Sequence, residues 1–163
     1  MRMILLIECV ILCIVFTLII MLAQYKDPMS MIMSYPPNVI KRVEQLPQYA
    51  DCIKEREKKH ISKKIFGVFF FAGILAIVAY FSGCRSFADT FFHVFILFVA
   101  VNLYDMLVLD WGVFCHSKKL RIPGTEDMDE DYKDYLFHAK GALKGIGIGV
   151  VVALLAAGII ILF

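Results

Sequence analysis

Apolar residues fall into four long blocks, and the polar residues gather between them. The first block covers residues 3–23 and is broken only by Glu8 and Thr17. The second covers 65–83, the third 87–115 and the fourth 145–163. The fourth carries no charge at all. At 1.5 Å per residue its 19 positions reach about 28 Å, close to the hydrocarbon thickness of a bilayer. The turn between the second and third blocks, residues 82–86, is short, so those two helices form an antiparallel hairpin. The pattern predicts an all-α integral membrane protein: a four-transmembrane-helix bundle with short cytoplasmic amphipathic helices, in one membrane domain over residues 1–163. A cleaved signal peptide is the rival reading of the first block. That block exceeds a 7–15-residue apolar core and no A-x-A site follows, so it reads as a retained helix.

Lysine and arginine set the orientation. Nine lie between the first two blocks: Lys26, Lys41, Arg42, Lys54, Arg56, Lys58, Lys59, Lys63 and Lys64. Six follow the third: Lys118, Lys119, Arg121, Lys133, Lys140 and Lys144. Only Arg2 and Arg85 fall on the other side. The positive-inside rule then places segments 24–64 and 116–144 in the cytoplasm and both termini outside, with the plasma membrane as the expected location.

Within segment 24–64, Asn38 is expected to cap a short helix with Val39, Ile40, Val43 and Leu46 on one face. Pro47 suits the first turn of a further helix that runs on through the basic cluster into the second block. In the other segment Pro123-Gly124 marks a turn, and Thr125 is placed to cap the next helix with acids in its first turn. Asp127, Asp129 and Asp131 alternate as at the start of an EF-hand loop. Tyr132 stands where that loop needs glycine and His138 where it needs glutamate, which excludes calcium binding of that type.

Composition sharpens this only a little. The chain is 60% hydrophobic, against about half for a soluble domain, and its net charge is +2. Nothing in the charge or the motifs points to nucleic acid. Cys9, Cys13, Cys52, Cys84 and Cys115 make no CxxC and no zinc spacing, and a disulfide framework is not expected.

The candidate chemistry sits in the third block. An intramembrane acid costs roughly 2.5–3.5 kcal/mol on insertion scales and marks a functional site by default. Asn102 and Asp105 are three residues apart and share a helical face. Asp110 lies off that face beside Trp111, an interfacial anchor. His116 and His138 flank the Pro-Gly turn on the same side. Asp105, Asp110, His116 and His138 are therefore the candidate catalytic or proton-moving groups. Asn102, Arg121, Glu126 and Lys144 are the candidate ligand-binding groups. Two His and two Asp could in principle ligate a metal, but the spacing matches no metal motif, and separate surface histidines are the favoured reading. No cofactor is indicated. Glu8 can meet His93 or Arg85 at the other end of the bundle, as a structural pair.

Gly141, Gly145, Gly149, Ala153 and Ala157 recur every four residues, a stripe of small side chains that lets another helix approach closely. The partner is a span of this chain or a second copy, which gives a route to a homo-oligomer through Gly141, Gly145, Gly149 and Ala153. Two functions follow. One is a membrane enzyme or ligand-binding protein acting on an anionic or lipid-like substrate at the cytoplasmic face. The other is a small oligomeric transporter or channel for a cation or proton-coupled substrate; a non-catalytic accessory subunit is a third reading. The lean is to the first, because the polar residues gather on one side.

Overall fold

The computed structural model describes residues 2–162. Among these, every regular element is helical. Four helices are long and apolar enough to cross a membrane: Met3–Lys26, Ala50–Phe81, Phe87–Phe114 and Asp129–Ile160. The first belongs to α1 (Arg2–Lys26). A 3-10 segment, Pro28–Ser34, and the short α2 (Pro37–Glu44) follow. The second is α3 (Ala50–Phe81), one unbroken helix of 32 residues. At 1.5 Å per residue it is about 48 Å long, so its basic first turns extend well past the apolar part. The third is α4 (Phe87–Tyr104), continued by a π-helical segment, Asp105–Phe114. The fourth is formed by α5 (Asp129–Tyr132) and α6 (Tyr135–Ile160).

Local starts differ from expectation in three places. The helix expected to be capped by Asn38 begins at Pro37, and the Asn38 amide instead donates to Asp131 at 2.7 Å. Pro47 stays in the turn before α3, which begins at Ala50. Thr125 caps nothing: its hydroxyl donates back to Ile122 O at 2.7 Å and is buried. Side-chain caps stand elsewhere. Ser86 accepts from the Asp89 amide at 3.1 Å and starts α4, and Asp134 accepts from the Phe137 amide at 2.9 Å and starts α6.

Two apolar cores result. In the first, α6 packs against α3 and α4 through small residues, with Ala72, Ala76 and Ala79 facing Val152, Ala153 and Ala156 around Leu97. α1 leans on α4 and leaves most of its surface exposed. The second core lies where the two long loops meet. Ile32, Tyr35, Val39 and Val43 from one loop enclose Phe114, Leu120, Ile122 and Tyr132 from the other. The loops expected as two separate segments thus fold together as a plug beneath the end of the third long helix. That end is called the loop end below, and the α3–α4 turn the hairpin end.

The stripe of small residues is used within the chain. A Cβ on Gly145 would collide with the Asn102 side chain, and one on Gly149 would lie 2.6 Å from Phe98 Cδ1. Ala153 and Ala157 are fully buried. Gly141 does not join them: it is exposed, and a Cβ there meets nothing within 4 Å. Gly145→Leu should therefore destabilise the fold by about 2–4 kcal/mol, by overpacking and by loss of the bond that Asn102 makes across the helices. Gly141→Leu should leave the melting temperature in detergent nearly unchanged. Equal effects of the two in a thermal unfolding assay would show that α4 does not need this close approach.

Candidate functional site

The third long helix changes pitch where its acids lie. From Asp105 the backbone widens into π turns, and the Cys115 amide reaches back five residues to Asp110 O at 2.9 Å. Wide turns of this kind misalign side chains from the regular α pattern and often occur at functional positions. Here they bring Asp110 Oδ2 to 3.1 Å from Nδ1 of His138 on α6. The imidazole is almost fully buried, and its Nε2 has no hydrogen-bond partner among the described residues. Phe114 packs edge-on to the ring, with centroids 5.5 Å apart, and the Cys115 thiol adjoins it. Asp105 is half-buried one wide turn away. Asp110 and His138 are the charged groups that act on it, and no hydrogen bond supports its carboxylate among the described residues.

The other expected site residues take different places. The Asn102 amide donates to Ala142 O at 2.9 Å, which ties α4 to α6. His116 is exposed; its Nδ1 lies 2.9 Å from Trp111 O and its Nε2 3.4 Å from the Tyr135 hydroxyl. Trp111 donates to Tyr135 O at 3.3 Å, so these three side chains form a rim separate from Asp105. Lys144 is exposed on α6. Glu126 is exposed, and both its oxygens accept from the Gly124 amide at 2.9–3.0 Å. That bond holds its carboxyl below the usual carboxylate range. Gly124 itself has φ +94°, and Leu46 Cδ1 would lie 2.8 Å from a Cβ there, so the turn needs glycine on two counts.

Arg121 is buried, and its two terminal nitrogens serve the backbone while its Nε makes no hydrogen bond among the described residues. Its Nη1 donates to Phe114 O at 3.3 Å and its Nη2 to Cys115 O at 3.1 Å, which satisfies carbonyls at the end of the π segment. Its guanidinium lies 3.9 Å above the Tyr132 ring, and its Nε is 3.4 Å from Asp129. The Tyr132 hydroxyl accepts from the Ile122 amide at 3.1 Å and lies 2.7 Å from the Thr125 hydroxyl. Tyr35 closes the plug from the other loop, with its hydroxyl donating to Pro28 O at 3.1 Å or Leu120 O at 3.3 Å. Burial pushes the Tyr35 phenol far up from its usual range, so it stays a donor.

A second polar cluster lies at the hairpin end. His93 Nε2 is 2.8 Å from Glu8 Oε2, the expected pair. Arg85 turns away and covers the Tyr80 ring at 3.9 Å. Ser82, which sequence reasoning passed over, bonds the other oxygen of Glu8. Cys115 was passed over too. Neither residue carries a signal in the sequence, since a serine in a turn and a cysteine at a helix end are ordinary.

Among the described residues no three His, Cys, Asp or Glu side chains converge as a metal site. No protein-family model matches the chain, and no curated protein or solved structure matches it either. The function is therefore argued from the site alone.

Arg121→Ala should cost about 2–4 kcal/mol, because it strips buried carbonyls of their donors and removes a cation–π contact. Arg121→Lys should recover little of this, since an ammonium cannot span both carbonyls and stack flat on the ring. Denaturation of the two variants in detergent checks it. A fully stable Arg121→Ala protein that had lost ligand binding would instead make Arg121 a ligand contact.

Proposed function

We propose that this chain is an integral membrane protein whose four long helices cross the bilayer as a bundle. The loop end then lies in the cytoplasm, and the ends of α1 and α6 beside the α3–α4 turn face outside, at the plasma membrane. The fifteen lysines and arginines in segments 24–64 and 116–144, against two elsewhere, support this orientation. A reporter active only in the cytoplasm should work when inserted at Pro123-Gly124 and stay silent when fused after Phe163. The reverse result overturns the orientation.

Within that frame, we propose a small transporter or channel that binds a proton or small cation at Asp105. The observation that carries this reading is the state of Asp105 itself. Its carboxylate is half-buried, lacks a hydrogen bond among the described residues and lies beside Asp110 and His138. An enclosed acid without a donor takes up a proton or a cation. The Asp110–His138 pair next to it is a group with which that proton can exchange. The polar cluster at the hairpin end supports a species that enters from either face. Arg121 argues against an anionic ligand, because its donors serve the backbone.

A membrane enzyme is the second reading, and His138 favours it. An imidazole held at Nδ1 by a carboxylate, with a buried Nε2 unpaired among the described residues, has the arrangement of a general base for a substrate that reaches the ring.

Proteoliposomes containing the protein should pass protons or monovalent cations under an imposed gradient. Asp105→Asn should reduce that flux at least tenfold while leaving thermal stability unchanged or higher. Wild-type flux no greater than that of empty vesicles overturns the transport reading. A destabilised Asp105→Asn protein with normal flux makes Asp105 structural.

A further inference from the structure

We propose that Glu8, His93 and Ser82 form a proton-binding site at the hairpin end, and that its protonation controls how firmly α1 docks on the α3–α4 hairpin. The site is independent of Asp105 and draws one residue from each of three elements. Glu8 is on α1, Ser82 terminates α3 and His93 is on α4. His93 is 5% exposed at its side chain and Glu8 16%, so the pair is removed from solvent and 2.8 Å apart.

Ser82 makes the cluster able to hold both protonation states. Its hydroxyl has one hydrogen and two acceptors in reach, Glu8 Oε1 and Val78 O, the latter at 2.9 Å. When Glu8 is ionised, Ser82 donates to it. When Glu8 takes a proton, the new O–H donates to Ser82, and Ser82 donates to Val78 O. The Glu8–Ser82 bond survives in either state. What changes is the attraction to His93: a carboxylate beside a protonated imidazole is an ion pair, and a carboxylic acid is not.

That change falls on a loosely held helix. α1 shows lipid a nearly continuous apolar surface; Leu6, Val10 and Leu22 are all more than half exposed. Hydrocarbon gives such a helix no hydrophobic reason to dock, so its polar contacts carry the association. Among the described residues they are few. Besides the cluster, the Thr17 hydroxyl meets the Tyr104 hydroxyl at 2.9 Å, and Asp27 beyond the helix end meets Arg56 at 2.9 Å. The other titratable groups near the cluster are Cys9 on α1, Cys84 and Arg85 in the turn, and Asp89 on α4. Arg85 is committed to Tyr80 and to the carbonyls of Tyr80 and Cys84, and Asp89 to Ser86. The nearby end of α6 brings Ile160, which does not titrate. Among the described residues Glu8 and His93 are thus the two groups that remain to exchange a proton there.

The test uses the full chain in lipid nanodiscs. Infrared difference spectra on acidification should show a carboxylic acid band that is absent in Glu8→Gln. In His93→Gln the midpoint of that band should move to higher pH by at least one unit, because the cation that favours the carboxylate is gone. Amide protection in the first half of α1, corrected for intrinsic exchange, should fall about tenfold across the same midpoint and become independent of pH in Glu8→Gln. Retention of the band in Glu8→Gln overturns the site. A band that titrates with α1 protection unchanged overturns the control of docking. Ser82→Ala keeps both titrating groups and provides the check if His93→Gln fails to fold. In this variant the carboxylate loses its donor, and that charge-assisted bond outweighs the one made by the protonated acid, so the midpoint should shift to higher pH, and an unshifted midpoint overturns the role given to Ser82. None of these outcomes depends on Asp105, so failure here removes only the support that the hairpin-end cluster lends to entry from that face and leaves the Asp105 test of transport standing.

Discussion

The guanidinium of Arg121 lies between two backbone carbonyls at the end of the π segment and the face of Tyr132. A helix that ends in a buried place leaves its last carbonyls without partners, and each such group costs about 1–3 kcal/mol if nothing donates to it. Arg121 supplies two donors at once from a planar group that also stacks on an aromatic ring. Tyr132 is fixed in turn by Thr125 and the Ile122 amide, and Tyr35 and Phe114 pack around it. The loop plug forms around this cation, with an apolar core from both loops packed about it. The plug also sets the direction in which the third long helix ends, and therefore where Asp110 and His138 meet.

Polar contacts do the specifying elsewhere too, because contacts between apolar side chains carry little direction of their own. Asn102 bonds Ala142 O across α4 and α6 and occupies the space that Gly145 leaves open. Thr17 meets Tyr104 at mid-length, and Asp27 both caps the 3-10 segment and receives Arg56. Each contact pins a register that packing alone would let slide. The small residues on α3 and α6 then close the gap and add dispersion over a wide area.

The acids of the third long helix divide by what surrounds them. Asp110 has an imidazole partner and a fixed geometry. Asp105 has charge nearby and no donor among the described residues. A paired acid holds structure, and an unpaired one is available to a ligand. The π turns make this division, since a regular α helix would rotate Asp110 to a different angle from the one that meets α6.

The sequence alone determined the number of the long apolar helices, the hairpin and the continuity of α3 with its basic leader; the fourth helix, expected from Gly145, begins at Tyr135 instead. These follow from hydropathy and helical period, which act locally along the chain. It also placed Asp105 and Asp110 as acids in an apolar stretch, and it raised the Glu8–His93 contact. Only the tertiary structure decided which polar groups meet. Asn38, Thr125 and Arg121 each have several partners that satisfy local rules, and the choice among them depended on how two loops distant in sequence pack. Asn102 and Arg121 were expected to hold a ligand and hold the backbone instead, because a buried carbonyl is as good an acceptor as any ligand and is always present. His116 and His138 looked alike in sequence. One lies on an exposed rim and the other faces Asp110 from inside, because the π turns and the start of α6 at Asp134 set their directions. Hydropathy could place the helices in the chain; only the pairing of particular buried polar groups could say how they face one another.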